Sequence, residues 1–386
     1  MHLLTASPFM LSVLPVSNTT AKFTSAVATR PHIAIILADD LGWNDVSFHG
    51  SMQIPTPEID ALARKGVIFD QYYVQPVCSP TRASLLTGRH VIHTSIYDPD
   101  CSLSTTLAVP TNFTMLPAHL KRLGYETAAV GYMAAHRDLI TLPLLLTSRS
   151  TLLLCRKWHL GMFAPDVLPT GRGFDTFFGY YGGAEDYFEH SVGKYKDIHD
   201  DKGADLKEAK GLDGQYSTFL YTARAVSIIE SFAARRLHPH GEVDAEDADV
   251  DEAAAAPPSL FLYLAYQAIH SPDEAPASYI DRFSTTIPDT PDGVGQHRRK
   301  VTLLTPRAPC APPYLSTLLT PRAPCAPRYF EHPSPWFSHH SLPRARQVAG
   351  MITALDEGVG NVTRALDAAG MASRTLIVFR YQRSPP

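Results

Sequence analysis

The sequence predicts an α/β fold with a mostly parallel central sheet covered by helices on both faces. Two observations carry this expectation. The apolar runs are short, continuous and rich in β-branched residues, as in strands buried on both sides. They alternate along the chain with longer segments of helical period, and such alternation favours parallel strands joined by crossover helices. A chain of 386 residues, 45% of them hydrophobic, can fill a sizeable core.

Ile33 to Ala38 is the first strand and ends in Asp39-Asp40. Glu58 to Gly66 places Ile59, Leu62 and Ala63 at helical spacing and stops at Gly66, ahead of a strand-like Val67-Ile68-Phe69. Cys78 stands just before a helix, with Ser79 as its N-cap and Pro80 at its first position. A helix from Pro117 to Leu123, stopped by Gly124, leads to a strand over Thr127 to Val130. Helix Thr218 to Ala234 precedes strand Leu260 to Ala265, and helix Ala345 to Ala369 precedes strand Thr375 to Phe379.

Three segments break this rhythm and are expected as insertions at 132–156, 238–258 and 299–343. Tyr132 to Arg156 is Leu-rich without caps or a clean period. Residues 238–258 are acidic and alanine-rich, a solvated loop. Thr302 to Pro312 recurs letter for letter as Thr317 to Pro327. Two Pro-rich copies cannot stack into a solenoid, so irregular surface sequence is expected there.

A net charge of −4, without a Lys/Arg run, argues against a nucleic-acid partner. No membrane span is expected, because the most apolar candidate, Leu139 to Leu154, contains Pro143 and Arg149. Five cysteines without a CxxC pair imply neither a disulfide framework nor a structural zinc. Residues 1–30 read either as a signal peptide or as a disordered N-terminus. Leu3 to Val16 is apolar and Ala26-Val27-Ala28 has the small-x-small form, but no basic residue precedes them and Pro8 and Pro15 interrupt them. Asn18, Asn112 and Asn361 sit in Asn-x-Thr sequons.

Two places can carry chemistry. Asp39 and Asp40 follow a buried strand, where ligand sites form in open α/β sheets, and paired carboxylates suit Ca²⁺ or Mg²⁺. The plain alternative is a turn with two solvated acids. Around Cys78, the helix start offers N–H groups and positive dipole to an anion, and Arg82 adds a fork for two of its oxygens. Here the alternative is a capped surface helix with a buried thiol. His159 and His270 taken alone would be structural histidines.

Cys78-Ser-Pro-Thr-Arg82 running on to Leu86-Thr87-Gly88 resembles the signature of the type I, formylglycine-dependent sulfatases, and Leu37 to Trp43 resembles that family's first motif. Lys157-Trp-His-Leu-Gly161, Phe261 to Pro272 and Met351 to Asn361 agree with the arylsulfatase B type. The resemblance implies an alkaline-phosphatase-like sulfatase sandwich, with residues 31–386 as its N-terminal catalytic domain and the C-terminal subdomain absent. It implies a sulfuric ester hydrolase acting on sulfated carbohydrate or a small aryl sulfate, in the secretory pathway, lysosomal or extracellular.

It further implies that a formylglycine-generating enzyme oxidises Cys78 to an aldehyde whose hydrate is the nucleophile. One hydroxyl attacks sulfur and the alcohol leaves; the second hydroxyl then loses its proton and sulfate is expelled. Asp39, Asp40 and the modified Cys78 would hold Ca²⁺, and Arg82 would orient the modified residue. Lys157 would bind sulfate oxygens, His159 would move the diol proton, and His270 would sit near the leaving oxygen.

The chain also departs from the pattern. The 25 residues Tyr132 to Arg156 separate Gly131 from Lys157, where the family runs directly on. After Phe379 the family continues with Asp-Asn-Gly-Gly and then a second lysine, but this chain reads Arg380-Tyr-Gln-Arg-Ser-Pro-Pro386. The calcium ligand set is therefore expected to be incomplete. Thr81 replaces the commoner serine and keeps the hydroxyl. Three other readings stay open: a non-catalytic homologue that binds sulfated ligands, a phosphodiesterase or phosphatase of the same superfamily, against which Cys78 counts, and an imperfect gene model.

Overall fold

The computed structural model describes residues 30–50, 52–69, 72–75, 77–97, 108–131, 160–182, 185–237, 257–287 and 344–382. The expected insertions, apart from Pro257 and Pro258, lie outside them, as do the exact repeat, Asn18 and residues 1–29. Strand β1 (His32–Asp39) is followed by α1 (Pro57–Lys65), α2 (Cys78–Thr87), the single turn α3 (Val91–Thr94), α4 (Leu116–Arg122) and β2 (Tyr125–Gly131). Then come β3 (Thr176–Gly179), the small strands β4 (Ser191–Val192) and β5 (Tyr195–Lys196), and β6 (His199–Lys202). Helix α5 (Ser217–Leu237), β7 (Ser259–Ala265), the single turn α6 (Ala277–Ile280), α7 (Arg344–Ala368) and β8 (Thr375–Gln382) complete the order.

Six strands form the central sheet in the order β6-β3-β2-β7-β1-β8. Every pairing is parallel except β3 with β6 at one edge. Alternation along each strand divides the core. Ile36, Ala38, Leu262 and Leu264 face α5 and α7, whereas Ile35, Leu37, Phe261 and Tyr263 face α2 and α4. The expected parallel sheet with helices on both faces is what forms.

Three local expectations are corrected. Val67, Ile68 and Phe69 form no strand and are 81, 51 and 74% exposed, because the run pairs with none of the described strands and so has no pleated surface to pack on. Helix α2 begins at Cys78, with Val77 as its extended N-cap and no side-chain cap. Ser79 therefore lies inside the first turn, where its Oγ is buried. The β3 to β6 region was not foreseen at all. Its edge strand His199-Asp-Asp-Lys202 has no apolar run and is held through backbone pairing with β3.

The Leu355 to Asn361 stretch proves to be a packing device. Asp356 on α7 accepts the backbone N–H groups of Ile59 at 2.8 Å and Glu58 at 3.2 Å, satisfying donors at the start of α1 that the helix itself leaves open. A side chain at Gly358 would meet the hydroxyls of Thr222 and Tyr266 at 2.7 and 2.8 Å, so the glycine lets α7 lie against α5 and the end of β7.

Candidate active site

The carboxyl ends of β1 and β7 and the first turn of α2 converge on one point. Beyond the regular strands, Asp39 N–H donates to the Ala268 carbonyl at 3.0 Å and Ile269 N–H donates to the Asp39 carbonyl at 2.7 Å. This extended pairing carries the β7 loop alongside Asp39-Asp40 and brings His270 there. Asp40 has φ of 59°, a left-handed conformation in which Asp is among the few tolerated side chains.

Asp39 is fully buried and Cys78 is 2% exposed. The Cys78 thiol donates to Asp39 Oδ1 at 3.8 Å, while Arg82 Nη2 lies 3.5 Å from Asp39 Oδ2. One carboxylate thus fixes both the thiol and the guanidinium one helical turn away. The first turn of the ten-residue α2 carries both side chains, and the helix dipole favours negative charge there.

His270 Nε2 is 3.7 Å from Asp40 Oδ2. Its Nδ1 is 2.6 Å from the Ser271 carbonyl, which can only accept, so Nδ1 carries a proton and Nε2 is the atom presented to the site. The loop is braced from behind. Tyr187 donates its hydroxyl to the His270 carbonyl at 2.8 Å, and Gln267 donates to the Glu185 carbonyl at 2.7 Å. Glu274, which accepts the Tyr187 N–H at 2.8 Å, is raised to about 7, chiefly by burial.

Asp39, Cys78 and His270 offer donor atoms within 4.8 Å of one another. Together with Asp40 they are the described residues that would hold a cation. Calcium takes six to eight oxygens, whereas this set supplies two carboxylates, a sulfur and an imidazole nitrogen. Strand β8 adds no further carboxylate, since Leu37, Ala38 and Asp39 stand opposite Arg380, Tyr381 and Gln382. The described donors therefore do not fit a closed calcium shell.

Of the residues singled out in the sequence, Asp39, Asp40, Cys78, Arg82 and His270 come together; Lys157 and His159 lie outside the described residues. Two members of the site went unassigned by motif alone. Tyr263 is 1% exposed and faces α2, and its hydroxyl, raised by burial, is drawn back down by Arg82 and Arg380. Arg380 lies on the same face. The period-two alternation of β7 and β8 was the signal that could have placed both there.

Residues 31–380 match the family model described as Sulfatase. The chain is 35% identical to arylsulfatase J of Mus musculus over 269 residues, 68% of this chain and 36% of that protein. It is 25% identical to an arylsulfatase of Klebsiella aerogenes over 363 residues, 92% of this chain and 66% of that protein. In neither case does it span two thirds of the relative's length. The solved structure of Ps i-CgsB shares the fold at a TM-score of 0.58 and 24% identity, covering 91% of this chain and 58% of that one. The family match across nearly the whole chain coincides with the thiol, carboxylates and arginine that its sheet gathers, and the chain belongs to the sulfatase family.

Proposed function

We propose that this chain recognises and hydrolyses sulfate esters of carbohydrate or aryl alcohols at Cys78. The observation that carries this reading is the buried Asp39 carboxylate, held between the Cys78 thiol at 3.8 Å and the Arg82 guanidinium at 3.5 Å at the start of α2. Formylglycine made from Cys78 by the modifying enzyme would supply a geminal-diol nucleophile there. Arg82 and the α2 N-terminus offset charge on the sulfate oxygens. His270, its Nδ1–H held by the Ser271 carbonyl, presents Nε2 to the leaving oxygen and gives it a proton from the imidazolium form, in which both ring nitrogens carry one. Lys157 and His159 are assigned to sulfate binding and to proton transfer at the nucleophile.

Support for a carbohydrate substrate comes from N-acetylgalactosamine-6-sulfatase of Rattus norvegicus, 25% identical over 307 residues, and for an aryl substrate from the arylsulfatases. Passage through the secretory pathway, lysosomal or extracellular, is part of the same reading. A second reading, sulfated-ligand binding without turnover, is favoured by one feature: Arg380 and Tyr381 stand on β8 at the positions where the family resemblance places an Asp-Asn pair of metal ligands.

The test is mass spectrometry of the Cys78 peptide after expression in cells that make the modifying enzyme, with turnover of a chromogenic aryl sulfate. Formylglycine with turnover, both lost in Cys78→Ala, is the expected result, and His270→Ala should lower kcat by about 10²–10⁴-fold. A modified Cys78 without turnover selects the binding reading. An unmodified thiol sinks the catalytic one.

A further inference from the structure

Arg380 lies on an edge strand yet is 8% exposed, although Leu376 and Val378 on the same face of β8 are 56 and 37% exposed. Its Nε and Nη1 meet no hydrogen-bond partner among the described residues, and none of those residues forms an ion pair with it. Its guanidinium stands 5.3 Å from the centre of the Tyr72 ring, a contact that tolerates a cation without neutralising it. In the sheet Arg380 stands opposite Leu37, two residues before the Asp39 that holds Arg82. Burial pulls the Arg380 pKa down, Tyr72 and Tyr263 pull it up, and Arg82 pulls it down further.

Charge bookkeeping in this niche does not close. Arg82 and Arg380 are both at least nine-tenths buried, and Asp39 is the described carboxylate paired with Arg82. An arginine does not shed its proton to relieve burial, and a buried cation without a counter-charge is costly. The unmet N–H groups of a planar fork match the oxygens of a tetrahedral oxyanion.

We propose that Arg380 and Arg82 form a paired guanidinium site for the sulfate group beside Cys78, and that this pair supplies the positive charge for which the described donors are too few to hold calcium. The inference rests on the sulfate-ester reading of the site. It assigns Arg380 as a binding residue and makes sulfate recognition independent of divalent cations.

The experiment is calorimetric titration of the full chain with inorganic sulfate, in EDTA and again with added calcium, for the wild type, Arg380→Gln and Arg380→Lys, each checked for folding by circular dichroism. The expected result is wild-type binding in EDTA, unchanged by calcium, weakened at least tenfold in R380Q and about threefold or more in R380K, which keeps the charge and loses the fork. If R380Q does not fold, R380K decides the matter. Binding that appears only with calcium, or folded variants that bind as the wild type does, overturns the Arg380 assignment while leaving the sulfate site standing. No sulfate binding under either condition overturns the assignment and the sulfate-ester reading with it.

Discussion

Arg82 Nη2 lies 3.5 Å from Asp39 Oδ2, with the two side chains 2 and 0% exposed. Removing one partner strands a buried charge, so Arg82→Met should destabilise the fold by about 3–5 kcal/mol. Denaturant unfolding checks this. In a double-mutant cycle, Arg82→Met with Asp39→Asn should cost clearly less than the two single changes added together; strict additivity would mean that the pair is not coupled.

Asp356 joins two helices far apart in sequence and carries a pH signature. Burial raises its carboxyl from 3.8 to about 6, against the pull of the Ile59 and Glu58 N–H groups. Because the folded value is the higher one, the folded state holds the proton more tightly between about pH 4 and 6. The corresponding stability is present below about pH 4 and is lost as pH rises through about 6, by up to about 3 kcal/mol. Asp356→Asn should remove that slope, whereas Asp356→Ala should also lose the helix cap, costing about 1–2 kcal/mol at all pH values. Thermal unfolding from pH 4 to 7 separates the two; parallel curves for wild type and D356N would contradict the assignment.

Two of the glycines of α7, Gly358 and Gly360, should respond differently to alanine. At Gly358 the new Cβ would meet Thr222 and Tyr266 hydroxyls that are bonded to each other at 2.8 Å and fixed in the core. Overpacking there should cost about 1–3 kcal/mol. At Gly360 it meets the Glu58 side chain, whose partly exposed carboxylate can swing away. Gly360→Ala should therefore be neutral or stabilising by up to about 1 kcal/mol through helix propensity. Chemical denaturation of both variants gives the comparison, and equal costs would refute this account of the packing.

Asn112 and Asn361 are both exposed in their sequons. On passage through a glycosylating secretory pathway, each should carry an N-linked glycan. Enzymatic deglycosylation should lower the mass in steps that disappear in Asn112→Gln and Asn361→Gln. An unshifted mass in a secreted preparation would exclude modification at these sites.

Much of the fold was legible because its elements are long and strongly patterned. His32–Asp39 and Ser259–Ala265 are buried almost throughout, and burial on both faces leaves a continuous apolar run in the sequence. The Cys78 to Arg82 motif put thiol and guanidinium at one helix start, although the helix begins at Cys78 itself and not after it. Val67 to Phe69 misled because β-propensity describes a side chain's fit to a pleated surface, and no such surface reaches it. The β3 to β6 region went unread because its edge strand is held by backbone hydrogen bonds, which side-chain pattern does not report.

The sequence by itself determined the α/β class, the long strands and helices of the sheet and the candidate residues around Asp39 and Cys78, since these are written in local spacing and motif. Only the tertiary structure decided that Asp39 serves both Cys78 and Arg82, that Asp356 caps a helix nearly 300 residues earlier, and that Arg380 is buried on the face of the site. Those relations depend on which strands become neighbours and in what register. Such neighbourhoods are set by burial of the whole core, which no local stretch of sequence encodes.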